Sequence, residues 1–455
     1  MEDSAKSASL AAALPALLLG VSLLLGGGGS PAPLLELTLQ LLGALFFGWW
    51  LLRYPAALRA VAPAVWWMAG LICGLHLLQL IPLPPALWHT LPGREGERSA
   101  LELVAEADTW RALSLSPART LASLLAALSA LTLLVMTATL AVQARWRLLM
   151  VTAAAGLITL VLGAAQLSGG TGNPFRLFDP NAIWLTGFQA NHNSTADLIL
   201  IAMLAMAALA RLGLDRGLVR PGMIQAAGTV LVADGAMVLG LFLTGSRAGL
   251  GLLPLVLALQ YLILQPDARL RWGRLGASAA GAVAMGGLAF VLLRDNRAIQ
   301  AILARFTLEG EFRPELWRDS LYALGQYWPV GSGQGTFTPV MMAVERLEVV
   351  DPTLPNRAHN DYLELAIGAG LPGLAVGGIV AAIIAVAAFR RLRRPIPNAR
   401  AQTLFALGTL SVMALHSLVD YPMRSMALAA LAAFATGLLF QPQQAGSGQS
   451  GESQS

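Results

Sequence analysis

The sequence predicts an all-α protein that sits in a membrane as a polytopic bundle of about 12 transmembrane helices, and three observations lead there. Hydrophobic residues make up 56% of the 455 positions and charged residues only 12%, far from the balance of a soluble chain. Apolar runs of about 20 residues recur, the length a helix needs to cross a hydrocarbon core of roughly 30 Å. Strand-like alternation is absent, so a membrane barrel is not indicated.

Taken in order, the first run covers 8–25 and follows the short charged stretch Met1–Lys6. Because further spans follow, it is expected to stay as an anchor rather than be removed as a signal peptide. A Gly/Pro-rich turn at 26–33 leads to spans at 34–53 and 62–82, and a long polar segment, Leu83–Pro117, precedes spans at 119–142 and 148–167. Spans at 194–211, 226–245, 248–265 and 276–293 come next, then a second long segment, Arg294–Ala358. Segments of this length between helices usually carry function. Within the second, Glu315–Tyr327 reads as an amphipathic helix with Leu316, Trp317, Leu321, Leu324 and Tyr327 on one face, followed by the turn Gly331-Ser-Gly-Gln-Gly335. Spans at 362–389, 401–419 and 425–440 finish the bundle, and the Gly/Ser/Gln-rich stretch 441–455 is expected to be disordered. The chain thus divides into a membrane region at 1–184 with the first long loop, a second at 185–440 holding the chemistry, and a tail at 441–455.

With the N-terminus placed inside, alternate connections carry Arg53, Arg59, Arg145, Arg147, Arg211, Arg216, Arg220, Arg269, Arg271, Arg274, Arg390, Arg391, Arg393, Arg394 and Arg400, whereas the short outer ones carry only Arg176, Arg247 and Arg424. That asymmetry puts both termini in the cytoplasm and both long segments on the outer side. It also accounts for the net charge of +5 without a basic patch, which excludes a nucleic-acid partner. Cys73 is the single cysteine, so disulfides and cysteine metal sites are excluded.

The residues able to do chemistry collect on the outer side. Arg247 lies in the tight turn Thr244-Gly-Ser246-Arg-Ala-Gly249, where a charge either snorkels into the interface or binds an anion. Gly245 directly precedes Ser246, so this is not the Gly-x-Ser-x-Gly elbow of hydrolases. Arg313 and Arg318 flank Trp317 in a segment with seven arginines and eight carboxylates between 294 and 358, so for each taken alone surface ion pairing is the first reading and ligand binding the second. The glycine turn at 331–335 offers backbone amides to a phosphate, or is a simple turn. His359, followed by Asn360, stands where this segment meets an apolar run; it is either a hydrogen-bonded interfacial histidine or a proton acceptor. His76, His89, His192 and His416 show no metal-ligand spacing to one another. Asp234, Asp420 and the polar stretch Asn191-His-Asn193 with Asp197 lie at or near membrane depth, where ionisable groups are functional candidates or pair within the bundle.

Together, Gly187–Asn193, Ser246-Arg247-Ala-Gly249, Arg313-x-x-x-Trp317 with Pro329-Val-Gly331-x-Gly333, and His359-Asn360 followed by Gly370-x-x-Gly373 resemble the O-antigen ligase and polymerase family, with His416-Ser-Leu-Val-Asp420-Tyr-Pro422 as a weaker fifth segment. The resemblance runs over about 185–425; the N-terminal third agrees mainly in span number and in Leu80-Ile-Pro-Leu-Pro84. It implies a class C glycosyltransferase-like bundle in a bacterial inner membrane, taking a glycan from undecaprenyl diphosphate on the periplasmic side with inversion. The acceptor is a glycan or lipid A-core. In this reading His359 is the general base, Asn360 or Asp361 helps it, and Arg247, Arg313, Arg318 and Ser246 hold the diphosphate donor. Asn191, Asp420 and Trp317 support them.

No metal or cofactor is expected, because the lipid diphosphate stores the energy. One departure stands out: relatives often carry an acidic residue nine positions after the histidine, where this chain has Gly368. Glu364, one helical turn earlier, is expected to replace it. Ligase, polymerase and protein O-oligosaccharyltransferase share this chemistry and differ in acceptor. A polysaccharide transporter or flippase is the alternative of another class, although the two halves show no internal repeat.

Overall fold

A computed structural model describes residues 2–29, 32–169, 172–217, 224–265, 312–348, 354–393 and 399–440, with position 350 and a few isolated positions between 273 and 300. The first helices in the chain are α1 (Glu2–Leu25), α2 (Pro33–Arg53), the short α3 (Pro55–Arg59) and α4 (Pro63–Leu80). The first long segment holds α5 (Pro85–Trp88) and α6 (Glu95–Glu102), closed by a two-stranded antiparallel ladder in which Pro82 pairs with Ala112 and Leu83 with Arg111. Then come α7 (Pro117–Ala138), α8 (Trp146–Ser168), α9 (His192–Asp215), α10 (Ile224–Leu243) and α11 (Arg247–Leu264). After the second segment's α12 (Arg313–Tyr327) and α13 (Phe337–Val344), the chain ends in α14 (Asp361–Arg393), α15 (Arg400–His416) and α16 (Met426–Leu438).

Proline sets many of these starts. Pro33, Pro55, Pro63, Pro85 and Pro117 each open a helix, where the missing N–H costs nothing and the fixed φ is already helical. Among the described residues, seven helices are long and apolar enough to cross a membrane: α2, α4, α7, α8, α9, α11 and α14. Ala13–Leu25, Ala233–Leu243 and Met426–Leu438 are shorter apolar helices. Helices occupy the other expected stretches within a few residues, except that 276–293 is described only at isolated positions and the tail 441–455 falls outside the described residues.

The centre of the bundle is α9, whose residues Leu198–Ala205 are all fully buried against α8, α10, α11 and α15. Lipid tails are as apolar as leucine, so such contacts hold by close packing rather than by expulsion of water. Gly156 of α8 shows the closeness: a Cβ there would stand 2.2 Å from the Ala202 side chain. At the opposite end from His359, Arg145 is fully buried and donates to the carbonyls of Leu140, Leu438 and Phe440. It therefore caps the end of α16 from one of the connections expected on the cytoplasmic side.

α14 is broken, and the break builds the outer surface. Gly370 has φ 55° and ψ −145°, and Pro372 lacks the N–H that would have reached the Gly368 carbonyl. The freed groups turn to neighbours: Gly333 N–H and Gln79 Nε2 donate to the Gly368 carbonyl at 2.8 Å each, Ser332 N–H to Ile367 at 2.9 Å, and Leu371 N–H to Pro329 at 2.8 Å. The glycine turn at 331–335 thus spends amides on the kinked helix, and those amides are not open to a phosphate. Gln79 Oε1 accepts from Gln334 N–H at 2.8 Å, and Leu115 N–H donates to Ser332 at 2.9 Å, tying the two long segments together.

The amphipathic helix expected at 315–327 is α12, but its buried face is Leu316, Asp319, Ser320, Ala323 and Tyr327, packed on α14 and α13. Leu321, expected on that face, is 58% exposed. A 100° step per residue carries it away from the row 316, 320, 323, 327.

Candidate active site

His359 is the last residue but one before α14 and adopts φ 47°, a left-handed conformation uncommon outside glycine. Its neighbours fix it there. Trp317 Nε1 donates to the Ala358 carbonyl at 2.9 Å and Glu364 accepts from Ala358 N–H at 3.2 Å. Asn360 caps α14 through Leu363 N–H at 3.0 Å and donates to the Leu418 carbonyl, also at 3.0 Å. Asp361 takes up Ser417 Oγ at 2.9 Å and Met423 N–H at 3.0 Å. The segment leading into α14 is thereby stitched to the segment that follows α15.

That stitching brings together groups 61 residues apart: His359 Nδ1 lies 2.8 Å from Asp420 Oδ1. An ionised carboxylate only accepts, so Nδ1 donates to Asp420 and Nε2 is the ring nitrogen left to face away from it. Asn191 Nδ2 donates to the other oxygen of Asp420 at 3.0 Å while its own Oδ1 caps α9 through Asn193 N–H. Asp420 is 2% exposed. Burial raises its pKa, but the hydrogen bond from His359 and the charges of His359, His416 and Arg313 outweigh that and hold it below the usual carboxylate range. The His359 ring stands edge-on to Phe312 and Tyr421, with centroids at 5.2 and 4.8 Å. Burial, with the nearby charge of Asp420, pushes the Tyr421 phenol up.

Beside this pair opens a cavity of about 420 Å³ lined by Asn193, Gly245, Arg247, Ala248, Arg313, Pro314, Trp317 and Val419. Three helices present their N-terminal ends to it: α9 through Asn193, α11 through Arg247 and Ala248, and α12 through Arg313 and Pro314. Two guanidinium groups and three positive helix ends make this cavity suited to an anion. Arg247, Arg313 and Trp317, read from separate stretches of sequence, thus share one wall.

Other expected members take different places. Ser246 is fully buried and its Oγ caps α11 through Gly249 N–H at 3.1 Å, a structural use of the hydroxyl. Arg318 is exposed and its charge acts on Glu315, so it does not line the cavity. Glu364 is 3% exposed and meets Arg357 at 3.0 Å and Arg424 at 3.4 Å. The carboxylate against His359 is therefore Asp420, while Glu364 anchors the segment before it through Arg357 and Ala358 N–H. A Cβ at Gly368 would stand 3.1 Å from the Gly333 carbonyl, so that position is filled by the glycine turn.

Sequence reading did not single out Arg357 and Arg424. Burial lowers the pKa of Arg357 but the Glu364 carboxylate more than restores it, leaving it raised. Arg424 also bonds Gln334 at 3.3 Å and faces Asp361 at 3.4 Å, linking α14, the glycine turn and the end of α15. A second histidine–aspartate pair, His416 and Asp197 at 2.6 Å and each 1% exposed, lies one helical turn below Asn193. Among the described residues no cluster of three or more His, Cys, Asp or Glu is placed to hold a metal ion.

Comparison with curated proteins finds no match. Comparison with protein families matches residues 232–377 to the O-antigen ligase family, a stretch that holds Arg247, Arg313, Trp317, His359 and Glu364 but ends before Asp420. Over residues 232–377, which include α11, a helix able to cross a membrane, and the cavity-lining Arg247, Arg313 and Trp317, the chain is thus similar to the O-antigen ligase family.

Proposed function

We propose that this multi-pass membrane protein transfers a glycan from undecaprenyl diphosphate to a sugar hydroxyl at the outer face of a bacterial inner membrane. The observation that carries the reading is the adjacency of a carboxylate-oriented histidine, His359 with Asp420, to a cavity holding Arg247 and Arg313. The acceptor oxygen attacks the anomeric carbon as its proton passes to His359 Nε2, and the bond from that carbon to the diphosphate oxygen breaks. Inversion follows from a single displacement. The imidazolium formed is stabilised by Asp420, which stays ionised.

The leaving diphosphate needs its growing charge neutralised, and the forks of Arg247 and Arg313 with three helix N-termini supply that. Trp317 has two uses, lining the donor cavity and holding the residue before His359. The polyprenyl chain would lie between spans. Glycan profiling of a strain lacking the gene tests the assignment. Accumulation of long lipid-linked polymer identifies a ligase to lipid A-core, and accumulation of single lipid-linked repeats identifies a polymerase. Unaltered glycans of every kind would refute the proposal.

A further inference from the structure

We propose that Phe312 forms the wall against which the acceptor sugar stacks, an inference that rests on the glycosyl-transfer reading above. A hydroxyl that gives its proton to His359 Nε2 must sit within about 3 Å of it. The pyranose ring carrying that hydroxyl then lies within van der Waals reach of the rings that flank the imidazole. There are two described ones, Phe312 and Tyr421. Tyr421 is half-buried, and Asn191 is hydrogen-bonded to its side chain. Phe312 is 52% exposed and has no polar atom to satisfy.

Phe312 borders the donor side without lining it, since the Arg313 guanidinium stands over its ring. Arg313 and Trp317 line the anion cavity and Phe312 does not, although it directly precedes Arg313. Its ring lies 5.2 Å from the His359 ring at 82°, with the Arg313 guanidinium 5.7 Å from its centroid. The C–H face of a pyranose is apolar, and covering it with an aromatic ring removes apolar surface from water while the hydroxyls stay at the rim. Phe312 is therefore an acceptor-specificity residue, while Arg247 and Arg313 serve the donor.

The test uses the full-length protein in lipid nanodiscs, a radiolabelled undecaprenyl diphosphate-linked glycan as donor, and two acceptor probes, lipid A-core and the lipid-linked single repeat unit. For whichever probe the wild type labels, Phe312→Ala is expected to raise the acceptor KM roughly 10-fold or more, a larger change than in donor KM or kcat. Phe312→Trp is expected to restore the acceptor KM. A rise in donor KM alone, an unchanged acceptor KM, or a Trp variant as weak as Ala would each overturn the inference and leave the functional reading standing. Labelling of neither probe by the wild type would remove the reading itself, and the inference with it.

Discussion

Asp420 decides what His359 can do. The carboxylate fixes the imidazole by its Nδ1–H, which in the proposed reaction leaves Nε2 for the acceptor's proton, so Asp420→Asn should cut transfer by on the order of 100-fold or more while donor binding persists. Equal activity in the variant would show that the pair is structural. Asp420 also has a signature in stability. Its pKa is held below the usual carboxylate range in the folded protein, so the native state gains stability that is complete above the ordinary aspartate value and is lost as pH falls through the depressed one. Thermal unfolding followed through that acidic window should show a steeper loss for wild type than for Asp420→Asn; parallel curves would contradict the assignment. The His359–Asp420 contact was not legible in the sequence, because partners 61 residues apart carry no local pattern. Arg247 and His359 could be picked out, since charged groups at a membrane surface stand out against an apolar chain.

At the scale of elements, helix existence was legible and helix interruption only partly so. Apolar runs placed the helices, but the unbroken span expected at 362–389 is interrupted at Gly370 and Pro372, which hand the carbonyls of α14 to the glycine turn. The break depends on a residue without a side chain: at Gly370 a Cβ would stand 2.0 Å from the Pro329 carbonyl oxygen, at a φ of 55°. Gly370→Ala should therefore destabilise the outer layer by about 1–3 kcal/mol from backbone strain, with the steric clash in addition. A lowered melting temperature and faster proteolysis at 312–358 would report it, whereas wild-type values for both would mean the turn docks without the kink. The amphipathic face of α12 was misjudged at Leu321, because periodicity in a short helix tolerates a shift of one position.

For the molecule as a whole, hydropathy and arginine distribution predicted a membrane bundle with its chemistry on one side. That side is where the two long segments meet, tied through Gln79, Ser114, Gln334 and Ser332. Orientation in the membrane can be read directly in a Cys73→Ser background. Leu103→Cys, 88% exposed on the first long segment, should react with an impermeant thiol reagent in cells with a permeabilised outer membrane, and Arg216→Cys should not. The reverse pattern would place the site in the cytoplasm. The most direct test of the account is transfer by purified protein in nanodiscs from a defined undecaprenyl diphosphate-linked glycan. Wild type should form the acceptor-linked product, and His359→Ala and Arg247→Ala should each lose on the order of 100-fold or more in rate; wild-type transfer rates in both variants would contradict it.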